Sequence, residues 1–292
     1  MFFKLADLGG LRKFYSGYKQ VMGKLTETKR KKLILNYMEY TETFVKKAKE
    51  CKITETYIGT GNPNSKILIV GKETATDIEN KANGDEHYVR FQNEMLQDFK
   101  ENAIKWNSNI ENLVNADSLP NWIGGKDSPL TSNPLFPFKS LHSKELKEGQ
   151  TWSKYQKLHD LIFLNDISTV KEKEIDFHNN FFLTEMNSAP AKFTKDADKS
   201  GIPNRKKVFK ESDFFQNFPV VILACSNYIS GNEIEEIFNV KFDKQIGNEK
   251  QLFWTHYNAD KTKLVIHTRQ LSTNVSDKLL IEIANEIRNF LN

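Results

Sequence analysis

The sequence has 292 residues, 38% of them hydrophobic and 27% charged, with a formal net charge of +4. This is the composition of an ordinary polar globular chain, long enough to bury a substantial core. Cys51 and Cys225 stand far apart with no C-x-x-C, which excludes a cysteine-based zinc site or iron–sulfur cluster, and no apolar run approaches membrane-spanning length.

The N-terminus, M-F-F-K-L-A-D-L-G-G, lacks the apolar core of a signal peptide. A soluble cytoplasmic protein with free thiols is therefore expected. Residues 11–50 read as helical, with Ile34, Met38, Thr41, Val45 and Ala48 on one face and the T-K-R-K-K cluster at 28–32 exposed. The stretch Gly59–Lys66, G-T-G-N-P-N-S-K, fails as a phosphate-binding loop because it precedes a strand instead of following one. The first core strand is Lys66–Val70, a β-branched apolar run ending at Gly71. Residues 85–116 read as mostly helical, and a long irregular segment rich in Pro and Gly follows at 117–140. From Thr151, read as the N-cap, a second helix presents Trp152, Tyr155, Leu158 and Ile162 on one face.

Phe181–Thr184 reads as the second strand and Pro219–Cys225 as the third, with Gln251–His256 as a weak edge strand and Leu264–Ile266 as the fourth core strand. A last helix begins near Ser276, with Leu280, Ile283, Ala284, Ile287 and Leu291 as its apolar stripe. Strands alternating with helices predict an α/β/α sandwich with a mainly parallel sheet of about four strands. A helical N-terminal extension over 1–58 is expected to pack with a domain over 59–292.

In open α/β sheets, ligands sit at the carboxyl ends of the strands. Three such ends carry polar residues: G-K-E-T-A at 71–75, T-E-M-N at 184–187 and H-T-R-Q-L-S at 267–272. Their order and residues resemble the first and last motifs of the uracil-DNA glycosylase superfamily, over about residues 60–292. The last motif keeps His267, Leu271 and Ser272 of an H-P-S-P-L-S pattern. The first keeps Gly71 and places Glu73 where several branches have a water-activating Asp or Asn.

The resemblance implies a hydrolase of the N-glycosidic bond of an unusual base in DNA, with no metal and no organic cofactor. Glu73 would activate water against a developing sugar cation, and His267 would stabilise the departing base. Gly71, Lys72, Glu185 and Asn187 would meet the base, while Leu271 would be the apolar wedge flanked by Arg269 and Ser272. Glu185 stands where the family has an Asn; a carboxylate only accepts hydrogen bonds, so a uracil carbonyl would be repelled and an amino-bearing base preferred. The aromatic residue that stacks on the base is one of Tyr88, Phe91, Phe136 and Phe138. DNA is the expected partner, with no membrane association and a monomer by default.

The plainer readings stand beside these. Glu73 caps a helix start, His267 is a satisfied core histidine, Leu271 packs over the last helix, and Arg269 is solvated. Ala191–Lys210 has seven Lys/Arg against two Asp and reads as a basic loop, with Arg205, Lys206 and Lys207 as phosphate contacts. An inactive nucleic-acid- or nucleotide-binding protein of the same fold is the alternative, and a small-molecule α/β hydrolase using Glu73 and His267 a third. No G-x-S-x-G elbow or H-x-x-x-H spacing supports other catalytic schemes.

Overall fold

The computed structural model describes residues 40–75, 86–112, 134–135, 150–165, 176–191, 193–248, 251–272 and 274–292. The compact unit runs from Tyr40 to Asn292. It therefore includes a helix, α1 (Glu42–Thr54), that the sequence reading assigned to the extension 1–58. Thr41 breaks the helix expected over 11–50: its side chain accepts from the Phe44 amide and caps α1. The T-K-R-K-K cluster and the candidate stacking residues Phe136 and Phe138 lie outside the described residues, as does most of 117–140, while Tyr88 and Phe91 fall on the helix Glu86–Glu111.

Among the described residues the chain is a mixed α/β structure with seven helices and one seven-stranded sheet. The strands are β1 (Thr60–Gly61), β2 (Ile67–Gly71), β3 (Phe181–Glu185), β4 (Val220–Leu223), β5 (Lys241–Asn248), β6 (Gln251–Tyr257) and β7 (Leu264–Thr268), in the order β1-β3-β2-β4-β7-β6-β5. The four adjacent strands β3, β2, β4 and β7 are mutually parallel, and β1, β6 and β5 add antiparallel edges. The sheet thus has three more strands than the four expected. Gln251–Tyr257 lies inside the sheet, and the edge is β5, whose K-F-D-K-Q-I-G-N sequence is almost wholly exposed and shows no apolar signal.

The parallel strands are continuous apolar runs because both of their faces are covered. Ile67, Ile69, Val220, Ile222, Leu264 and Ile266 form one core with the helices α3 (Gln150–Phe163) and α7 (Asp277–Leu291). Tyr155, Leu158 and Ile162 supply the α3 face as its periodicity predicts, although Thr151 is inside the helix and not its cap. Ser276 caps α7 by accepting from the Leu279 amide. On the opposite face Phe182 meets Phe44 of α1 and Trp106 of α2 (Glu86–Glu111). It also meets Phe214 of the short helix α5 (Asp213–Gln216).

The remaining helices, α4 (Ile202–Glu211) and α6 (Gly231–Phe238), follow β3 and β4. The glycines of the discarded phosphate-loop stretch have a packing reason. Gly61 has φ +90°, and a Cβ there would sit 2.4 Å from the Phe181 carbonyl on β3. No helix among the described residues is long and apolar enough to cross a membrane.

Candidate functional site

The carboxyl ends of the parallel strands converge as the motif order predicts, and backbone hydrogen bonds carry the pairing of β2 and β3 onward. Met186 donates to the Gly71 carbonyl (2.9 Å), Asn187 to that of Lys72 (2.7 Å) and Ala191 to that of Thr74 (3.1 Å). Gly71 makes room for its neighbour across the pair, because a Cβ there would sit 2.2 Å from Glu185 Oε2 and the carboxyl would have to move.

Between the ends of β2, β4 and β7 lies a cleft of about 570 Å³. Lys72, His267, Arg269 and Ser272 line it, four of the residues singled out in the sequence. Ser226, Asn227, Leu252, Trp254 and Gln270 complete it. Among the described residues two cations face this space and no carboxylate does. Trp254 and His267 are cross-strand partners on β6 and β7, with ring centroids 5.2 Å apart. The Trp254 indole N–H donates to Gln245, which fixes the ring's orientation. The L-x-W alternation of Leu252 and Trp254 was the sequence signal for this wall, missed because β6 read as a weak edge.

His267 Nε2 lies 2.8 Å from the Ser226 carbonyl, which can only accept, so this nitrogen carries the proton. Burial lowers the imidazole's pKa, opposed by that bond, and holds the ring neutral at pH 7. Its N–H is thus committed to the main chain. That overturns the expectation that it stands ready to stabilise a departing base.

Glu73 does not line the cleft. It is 7% exposed, and its two carboxylate oxygens accept from the hydroxyls of Thr194 (2.6 Å) and Tyr228. It joins the loop after β3 to the turn Ser226–Tyr228 after β4. The structure therefore separates Glu73 from the cleft that contains His267.

Glu185 lies deeper. Its Oε2 is buried with no hydrogen-bond partner among the described residues. Burial first and the Glu73 charge second push its carboxyl up to about 8, while Arg205 opposes the shift. At pH 7 Glu185 is a neutral acid with an O–H donor, so the argument that it must repel a carbonyl fails.

Other expectations need correction too. Asn187 is fully buried, its amide donating to the Asp198 carbonyl (2.9 Å) and accepting from the Ala189 amide (3.0 Å), so it holds the loop after β3 and is not exposed to a base. Leu271 is 0% exposed and belongs to the core beside Val275 and Leu279; it is not a wedge. Arg205 is 6% exposed and donates to the carbonyls of Glu185 (3.0 Å) and Tyr57 (2.9 Å) and to the Thr184 hydroxyl, so it meets no phosphate. Lys206 and Lys207 lie on α4, not on a loop. Lys206 pairs with Glu233 (2.7 Å) and Lys207 faces Glu211 (3.9 Å).

Two further groups lie away from the cleft. Cys225 is buried and its thiol is pushed up to about 12 by burial, so it is no nucleophile at neutral pH. His159, Asp160 and Asp176 could hold a metal ion, their ligand atoms lying within 4.8 Å of one another. Gln156 Nε2 donates to Oδ1 of Asp160 (2.9 Å) and of Asp176 (2.7 Å) and ties the three side chains together. Sequence spacing missed this group because its members come from α3 and from a segment just before β3.

Compared with family models, curated proteins and solved structures, the chain matches none.

Proposed function

We propose that this chain binds nucleic acid in the cleft between β2, β4 and β7, on a diverged uracil-DNA glycosylase-like α/β/α scaffold. The lining of the cleft carries this reading. Lys72 and Arg269 offer charge to phosphates, and Trp254 offers an aromatic face to a base. Asn227, Gln270 and Ser272 supply hydrogen-bonding groups for base or sugar edges. The scaffold part is supported by the parallel run β3-β2-β4-β7, with the two motifs at the ends of β2 and β7.

Fluorescence anisotropy with labelled oligonucleotides over a salt series tests the reading. Binding should weaken as salt rises, and Trp254→Ala should lower affinity roughly 5- to 100-fold, the worth of one stacked base. Arg269→Gln should reduce the salt slope by about 0.7, the share of one phosphate contact on a single strand. Binding that ignores both substitutions contradicts the assignment.

A further inference from the structure

The segment that reads as uniformly basic divides into two parts. From Ile202 onward it is α4, and its cations are spent: Arg205 on main-chain carbonyls, Lys206 on Glu233, Lys210 on Glu236. The loop before it, 193–201, is different. It is held to the body at two points, where Thr194 donates to Glu73 (2.6 Å) and Asn187 donates to the Asp198 carbonyl (2.9 Å), and it is turned on itself where the Ser200 amide donates to Asp198 Oδ1 (2.9 Å).

On this anchored loop Phe193 is 52% exposed, with Lys195 Nζ 5.7 Å from its ring centroid. Lys199 Nζ and Lys72 Nζ both approach the Tyr228 ring, at 5.8 and 5.4 Å. Lys72 also lines the cleft, so the Tyr228 ring stands between a lysine of the loop and a lysine of the cleft. Among the described residues no ion pair engages Lys72, Lys195 or Lys199, whereas Lys206, Lys207 and Lys210 all face glutamates. Asp196 and Asp198 lie exposed on the same loop and balance the charges of Lys195 and Lys199, so the net positive charge of the group is that of Lys72. Phe193 is half exposed beside the Lys195 ammonium, and an exposed aromatic face next to a cation suits stacking on a base.

We propose that the loop 193–201 extends the cleft into a track for single-stranded nucleic acid, with Phe193 stacking on an unpaired base and Lys195, Lys199 and Lys72 meeting the phosphates. The proposal rests on the nucleic-acid reading of the cleft. Single strands are the favoured form because stacking needs open base faces, which a duplex hides. The turn after β7 offers no apolar tip to open a duplex, since Leu271 points inward.

The test is anisotropy of the full chain with a labelled single strand and with the same sequence as a hairpin duplex. The single strand should bind more tightly. Phe193→Ala should weaken it roughly 5- to 100-fold, and Phe193→Trp should restore it. Lys195→Gln with Lys199→Gln should flatten the salt slope. Thermal melts of each variant should stay close to the native value, because these side chains are exposed. Tighter duplex binding, or an unchanged single-strand affinity in Phe193→Ala, overturns the proposal. If that affinity still falls in Trp254→Ala, the cleft reading survives and only the loop is lost. No binding of either probe by the native chain removes both.

Discussion

Replacing Glu185 with glutamine should flatten the dependence of stability on pH. In the folded chain this carboxyl is raised from 4.5 to about 8 by burial and by Glu73. Arg205, the nearby cation, spends its donors on the carbonyls of Glu185 and Tyr57 and on the Thr184 hydroxyl instead of on the carboxyl. The folded state therefore holds a proton that the unfolded state releases above pH 4.5. The stabilisation it contributes is complete below about 4.5 and is lost as pH rises through about 8. Between those limits stability falls by at most about 1.4 kcal/mol per pH unit, or about 2.7 kcal/mol from pH 5.5 to 7.5. Glutamine has the shape of the neutral acid and no such proton. Urea denaturation followed by tryptophan fluorescence at fixed ionic strength gives the stability of both proteins at each pH. Titrating groups remote from Glu185 are common to both and largely cancel in the difference. Glu185→Gln should gain on the native protein as pH rises. A difference constant to within a few tenths of a kcal/mol across that range refutes a buried neutral carboxyl.

Three further outcomes follow from the packing. Leu271→Ala should cost about 2–5 kcal/mol in chemical denaturation, the range for a buried leucine; a surface wedge would cost almost nothing. Gly71→Ala should cost about 1–3 kcal/mol by crowding Glu185 Oε2, and less in a Glu185→Ala background, so a double-mutant cycle without coupling contradicts the contact. Arg205→Lys should lose about 1–3 kcal/mol for each carbonyl left without a donor, with nucleic-acid affinity preserved at low temperature. Loss of affinity without loss of stability would mean Arg205 contacts phosphate after all.

Much of this arrangement was legible because apolar patterning governs buried parallel strands and amphipathic helices. Ile67–Val70, Val220–Leu223 and the α7 stripe are set by what must leave water, and they were found almost to the residue. The β5 strand was not, since an exposed edge strand is held by ladder bonds to β6 that leave no hydrophobic signature. The same limit applies at the site. Motif order located the strand ends, which is why Lys72, His267, Arg269 and Ser272 share one cleft. It could not tell which side chains turn outward. Glu73, Asn187, Leu271 and Arg205 look like functional groups in one dimension and are spent on loops, caps and core in three. Trp254 was missed for the opposite reason: its role depends on a cross-strand neighbour, His267, that lies far from it along the chain.

The most direct test of the cleft assignment is photocrosslinking of the native chain to a single-stranded oligonucleotide carrying 5-bromouracil, with the crosslinked peptide mapped by mass spectrometry. The account predicts a crosslink at Trp254, diminished by competing unlabelled strand and by high salt. Crosslinks confined to α4, or none above the level of a non-binding control protein, would contradict it.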